Sequence, residues 1–240
     1  MSHFLPHLTL TRVMLSSMLA VAVLFSWWPD VDLAVSAFFW RPEIGDFAGD
    51  QSMMAVAMFE AIPVISKFII AGLGAALLAS LFFQGRGRCW QRRFAYLLVV
   101  LLLGPGLVID VALKDHWGRA RPAKIIEFGG SARFSPALQP SNQCRKNCSF
   151  VSGHASAGFF AVSLGFLGGA AARRRWTLIG LALGSLAGLG RVSQGGHFLS
   201  DVVFAFYATW FSAWLVWIIF QRLGWMPDMR QPDNRQAEAG

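Results

Sequence analysis

Charge is what this chain lacks most. Asp, Glu, Lys and Arg make up 14% of its 240 residues, against about a quarter in a soluble globular domain. With 55% hydrophobic residues and a mean hydropathy of +0.49, this deficit excludes a largely water-facing surface and points to lipid as the main solvent. No Pro/Ser-rich linker interrupts the sequence, so it reads as one integral membrane domain. The first apolar run has no small-residue cleavage site and ends in Trp27-Trp28-Pro29-Asp30, which favours a retained helix over a signal peptide. Nucleic-acid-binding motifs are missing too, so the formal net charge of +8 implies no nucleic-acid partner. Nothing points to a protein partner. Cys144 and Cys148 lack the further nearby ligands that a zinc site needs. No acidic cluster suited to Mg²⁺ accompanies the basic residues, so neither a metal nor a cofactor is expected.

What is present is apolar length. Against a span of about 20 residues, runs fall near 10–28, 61–83, 94–113, 155–172, 176–190 and 198–220. They predict an all-α polytopic membrane protein with six transmembrane helices. The fifth run is short and glycine-rich, a composition that suits close helix packing. Residues 29–60 predict interfacial or partly embedded helices with no assigned role. The domain is expected over 1–221, followed by a polar, disordered tail over 222–240 with Pro227 and Pro232. Arg86, Arg88, Arg92 and Arg93 lie between runs two and three, and Arg173, Arg174 and Arg175 between runs four and five. The positive-inside rule places these clusters and both termini in the cytoplasm. Cys89 shares that side. A Cys144–Cys148 disulfide on the opposite side suits an oxidising periplasm, with two free thiols as the alternative.

That opposite side is also basic, with seven cations between 114 and 151, so they need another task. The residues that matter form blocks at helix ends. Lys114, Arg119 and Arg121-Pro122 close run three; Ser152-Gly153-His154 opens run four; Arg191, His197 and Asp201 join runs five and six. Helix parity puts all three blocks on one face. Lys114, Arg121 and Arg191 are permanent cations beside a bilayer, where unmatched charge is costly. Phosphate is their natural match, through bidentate guanidinium pairing. Ser152 and Gly153 add a hydroxyl and backbone N–H groups at a helix start. His197 and Asp201, four apart, share a face if helical. The carboxylate would then orient His197 as the nucleophile, and His154 is left as the general acid. Taken singly, each residue has a duller reading: headgroup anchor, helix cap or helix-stabilising pair. Those readings do not explain three blocks on one face. A transporter would need ionisable groups deep in several helices, and only Lys67 and Asp110 accompany Asp201 there.

These blocks resemble the signature of the type-2 phosphatidic acid phosphatase superfamily. Lys114-x6-Arg121-Pro122 matches its first motif in full. Ser152-Gly153-His154 matches the second, with Val151 in place of proline. Arg191-x5-His197-x3-Asp201 matches the third, with Gly190 in place of serine. The resemblance covers about 94–205. It implies a six-helix membrane phosphatase that works through a phosphohistidine at His197, with the site at the periplasmic ends of helices 3–6. The loop between the first two blocks adds Lys124, Arg133, Arg145 and Lys146, which with Arg119 are candidate headgroup contacts. This loop is similar to those of bacterial lipid A phosphatases, which implies a phosphorylated inner-membrane lipid as substrate and favours the 4′ phosphate. Phosphatidylglycerol phosphate, undecaprenyl pyrophosphate and phosphotransfer to a lipid acceptor stay open. The vanadium haloperoxidases share the motifs but are soluble, which the apolar runs disfavour.

Overall fold

The computed structural model describes residues 5–82 and 86–226; the predicted tail from 227 onward and the Asp110 side chain lie outside that description. Helix α1 (Leu5–Trp27) ends just before Trp28, whose helical conformation Pro29 disfavours. Helix α2 (Asp30–Phe39) starts at once, with Asp30 and Asp32 in its first turn, where the helix dipole favours acids. Strands β1 (Trp40–Arg41) and β2 (Asp46–Phe47) pair antiparallel, and a 3-10 turn, Ala48–Gln51, leads to α3 (Met53–Ser80). The stretch 29–60 therefore holds a hairpin and the first turns of α3 as well as a short helix.

Helix α4 (Arg86–Leu101) runs into a π-helical stretch, Leu102–Leu113, and then α5 (Lys114–His116). Pro105 lies inside the π stretch. It has no N–H for the Leu101 carbonyl and its ring crowds that oxygen, which widens the ladder locally. A long loop with 3-10 turns at Pro122–Lys124 and Ile126–Phe128 follows. Cys144 and Cys148 are disulfide-bonded within it. The last helices are α6 (Gly153–Phe159), α7 (Val162–Gly165), α8 (Ala170–Ser193) and α9 (Leu199–Arg222).

Five helical stretches among the described residues are long and apolar enough to cross a membrane: Leu10–Trp27, Met53–Ser80, Arg88–His116, Ala170–Ser193 and Leu199–Arg222. The fourth predicted run is not a single helix. It breaks at Phe160-Ala161 into α6 and α7, a region rich in glycine, the weakest helix former after proline. The fifth is longer than its hydropathy suggested. Alanine and arginine are good helix formers, so α8 takes Arg173, Arg174 and Arg175 into its opening turns.

Helix α9 is central, burying Trp210, Ala213, Val216, Trp217 and Phe220, whereas α3 turns Phe68, Ile65 and Leu78 outward. Glycines let α6 approach α8: a Cβ on Gly158 would stand 2.7 Å from the Gly184 Cα and N. A second cluster (Phe47, Ala120, Ile125, Phe128 and Phe198) clamps the hairpin and the long loop to the start of α9. Because backbone blocks Gly158, Gly158→Ala must push α6 and α8 apart. The expected cost is about 1–3 kcal/mol, read as a lowered melting temperature in detergent.

Candidate active site

Tertiary contacts bring the three sequence blocks to one end of the bundle. The Ala123 N–H donates to the Gly195 carbonyl (3.0 Å), joining the turn after the first block to the third. The Ser152 N–H donates to the Asp201 carbonyl (3.1 Å), joining the second block to the third.

His197 sits in the loop immediately before α9, with Phe198 as the N-cap. It is buried. Its Nδ1 lies 2.7 Å from the Ser149 carbonyl. A carbonyl only accepts, so Nδ1 carries the proton and Nε2 keeps its lone pair. The expected direct grip of Asp201 along a helix face is corrected here. His197 is not helical, and the Asp201 Oδ2 stands 3.7 Å from Nδ1, beyond hydrogen-bond length. Instead, Asp201 is the third residue of α9, and its Oδ2 accepts from the Phe198 N–H (2.8 Å) and from the Ser149 hydroxyl. The carboxylate thus holds both the turn that carries His197 and the residue whose carbonyl fixes the ring. Burial pushes the His197 pKa down to about 4 against the pull of Asp201, so the ring is neutral near pH 7.

Arg119 is also corrected. It is fully buried and cannot be a headgroup contact. Its Nη1 donates to the Asp201 Oδ1 (2.6 Å) and the Ser200 Oγ (2.8 Å), its Nη2 to the Asp32 Oδ2 (2.8 Å), and its Nε to the Ser135 carbonyl (2.8 Å). The guanidinium lies over the Phe198 ring, 4.2 Å from its centroid. Asp32, from the stretch with no assigned role, is equally buried. Its Oδ1 accepts from the Ser200 N–H (2.9 Å), and its Oδ2 accepts from the Ser200 hydroxyl as well as from Arg119. Burial raises the Asp32 carboxyl pKa, and Arg119 opposes that. Donors occupy both of its oxygens, the pattern of a carboxylate.

A cleft of about 410 Å³ opens beside this core, lined by Arg121, Lys124, Arg191, Gln194, Phe59, Asp50 and Glu60 among others. Arg191 is mostly buried; its Nη1 donates to the Gln194 Oε1 (2.7 Å), and its Nε is buried without a partner. Gly196 leaves room for that guanidinium, since a Cβ there would meet the Arg191 Nη2 at 2.2 Å. Arg121 is held by Asn147, its Nη2 donating to the Asn147 carbonyl (3.0 Å) and Oδ1 (2.9 Å). Phe59 touches both groups: the Arg191 guanidinium lies 4.3 Å from its centroid, and the His154 ring stacks on it at 5.0 Å.

The His154 Nε2 lies 3.2 Å from the Phe59 carbonyl. Pro63, four residues on and inside α3, has no N–H to occupy that carbonyl. A helix defect thus frees the acceptor that holds His154. Burial first, and then the cation of Arg191, push the His154 pKa down to about 4.

The remaining predicted residues divide. Ser152 is buried as the N-cap of α6, its Oγ facing the Ala155 N–H (3.4 Å), and Gly153 opens the helix. Lys114 stands at the end of the π stretch, its carbonyl accepting from the Cys148 N–H (3.0 Å). Arg145 and Lys146 are exposed on the disulfide loop, and Arg133 is exposed on the long loop before it. Sequence reasoning missed Asp32, Phe59, Pro63, Ser149 and Asn147. Only Asp32 and Pro63 carried a signal: an acid and a proline inside otherwise apolar helical stretches.

Known proteins are similar to this chain in sequence. A Lipid A 4'-phosphatase of Francisella tularensis subsp. novicida (strain U112) is 34% identical over 84% of this chain and 94% of its own length. The Rhizobium leguminosarum protein of the same name is 31% identical over 77% of this chain and 84% of its own. One from Rhizobium etli is 43% identical over 44% of this chain and 41% of its own. No solved structure matches significantly. The model of the PAP2 superfamily matches residues 93–225, a span that holds all three blocks, and the chain belongs to that superfamily.

Proposed function

We propose that the chain is a metal-independent phosphomonoester hydrolase that removes a phosphate, the 4′ one, from lipid A. The observation that carries this reading is His197, whose Nδ1 proton is committed to the Ser149 carbonyl. Its Nε2 therefore keeps its lone pair, and the adjacent Gly196 lines a cleft together with Arg121, Lys124 and Arg191. The names and coverage of the curated relatives support the substrate.

In this reading the His197 Nε2 bonds to phosphorus as the P–O bond to the sugar breaks. The leaving alkoxide takes a proton from His154. Water then attacks the phosphohistidine, His154 takes its proton, and neutral imidazole and inorganic phosphate separate. Arg121, Arg191 and Lys114 offset the charge on the equatorial oxygens. A bound phosphate opposes the burial and the cations that depress the His154 pKa, so binding substrate favours the protonated form that the reaction needs.

In the membrane, we place the fourth crossing at 155–172, through α6 and α7. Six crossings then put both termini in the cytoplasm and the site at the periplasmic face of the inner membrane. Arg88, Arg92 and Arg93 belong to the first half of α4, and Arg173–Arg175 to the opening turns of α8, whose last turn holds Arg191; this reading puts them on the cytoplasmic side, as the positive-inside rule requires.

Purified protein in detergent should release phosphate from bisphosphorylated lipid A in EDTA, with mass spectrometry showing loss at the 4′ position. His197→Ala should lower that rate by about 1000-fold or more. Activity that survives His197→Ala, or that EDTA abolishes, would count against the mechanism. Pro63→Ala restores a backbone donor that competes for the Phe59 carbonyl. It should slow lipid A hydrolysis by about tenfold, a fraction of the usual general-acid contribution. With an aryl phosphate, whose leaving group needs no proton, kcat/KM, which reports the first step, should be unchanged.

A further inference from the structure

We propose that Asp32 is a positioning residue for the reaction: acting through Arg119, it gives the buried group behind His197 the net negative charge that the attacking imidazole needs. The inference rests on the phosphohistidine reading above. Asp32, Arg119 and Asp201 form one desolvated array, with Arg119 at 2.8 Å from the first carboxylate and 2.6 Å from the second, all side chains inaccessible. Their formal charges sum to −1. Without Asp32 the sum is zero, because Arg119 cancels Asp201.

The sum matters because of what happens to His197. Its Nδ1–H is retained by the Ser149 carbonyl, so bonding of Nε2 to phosphorus makes the ring cationic. Lys114 and Arg121 disfavour a charged ring there, as does burial itself. The counter-charge must come from Asp201, the nearest carboxylate at 3.7 Å. Arg119 weakens that carboxylate as a counter-ion even while holding it in place. Asp32 draws on the same guanidinium from its other edge and on Ser200, which donates to Asp32 from both its N–H and its hydroxyl. Ser200 lies next to Asp201, so the same contacts hold the first turn of α9. A structural ion pair alone would need one carboxylate; the second supplies the excess charge.

The test compares kcat and KM of wild type, Asp32→Asn, Asp201→Asn and both double variants on phosphorylated lipid A in detergent, with melting temperatures alongside. Asp32→Asn should lower kcat by about tenfold or more with KM within about twofold, the signature of a group that acts in the transition state. Combined with Asp201→Asn it leaves Arg119 alone with a sum of +1, and kcat should fall below that of either single variant. Asp32→Asn/Arg119→Gln removes one charge of each sign, keeps the sum at −1, and should recover activity relative to Asp32→Asn. A merely structural role predicts the opposite, since the double variant loses more contacts. An unchanged kcat in Asp32→Asn, or a double variant no more active than the single one, overturns the inference. Where Asp32→Asn does not fold, the Arg119→Gln double variant decides. A folded protein within about tenfold of wild-type kcat supports the inference; one as slow as Asp201→Asn, or one that also fails to fold, overturns it. Wild-type protein without phosphatase activity would overturn the functional reading and this inference with it. Wild-type activity with an indifferent Asp32→Asn sinks the inference alone.

Discussion

A guanidinium buried between two carboxylates, Arg119 between Asp32 and Asp201, is the constraint on which the site depends. An isolated charge cannot be left in such a place, because desolvation costs several kcal/mol per ion unless partners and hydrogen bonds offset it. Each member therefore requires the others. Arg119 comes from the loop after α5, Asp32 from α2 and Asp201 from α9, so satisfying the charges brings three distant segments together. Ser135, Ser149 and Ser200 complete the hydrogen bonding. The Ser149 carbonyl then fixes the His197 tautomer, and the chemistry inherits its geometry from an electrostatic necessity of the fold.

The second histidine is positioned by an opposite device, a bond deliberately absent. Helix α3 contains Pro63, which cannot satisfy the Phe59 carbonyl, and the His154 Nε2 faces that oxygen at 3.2 Å. The same Phe59 ring contacts both His154 and the Arg191 guanidinium. Its π system favours the cation, and Arg191 remains near enough to disfavour a protonated imidazole at His154. A helix whose apolar surface faces mainly outward thus carries one functional edge at its end.

The motif residues were legible because chemistry restricts residue type at those positions: His197, His154, Arg121 and Arg191 each supply a group that few other side chains can replace. Helix parity predicts only that they share one side; contacts such as Ala123 N–H to the Gly195 carbonyl bring them together. What was misread were the partnerships. The four-residue spacing of Asp201 and His197 suggests a direct partnership, but that spacing implies a shared face only inside a helix, and His197 precedes α9. Arg119 was read as a surface cation because sequence does not reveal burial. The 28-residue length of α3 was missed because hydropathy falls at Glu60 while the backbone remains helical.

By itself the sequence determined the solvent, the helical class, the three motif blocks and the superfamily they resemble, because composition and residue chemistry are properties of the chain alone. Only the tertiary structure decided which carboxylate meets Arg119, which carbonyl holds each imidazole, and that 29–60 supplies Asp32 and Phe59 to the site. Those contacts join residues separated by as many as 168 positions. Burial and hydrogen-bond geometry select among such pairs, and neither is defined until the helices have packed.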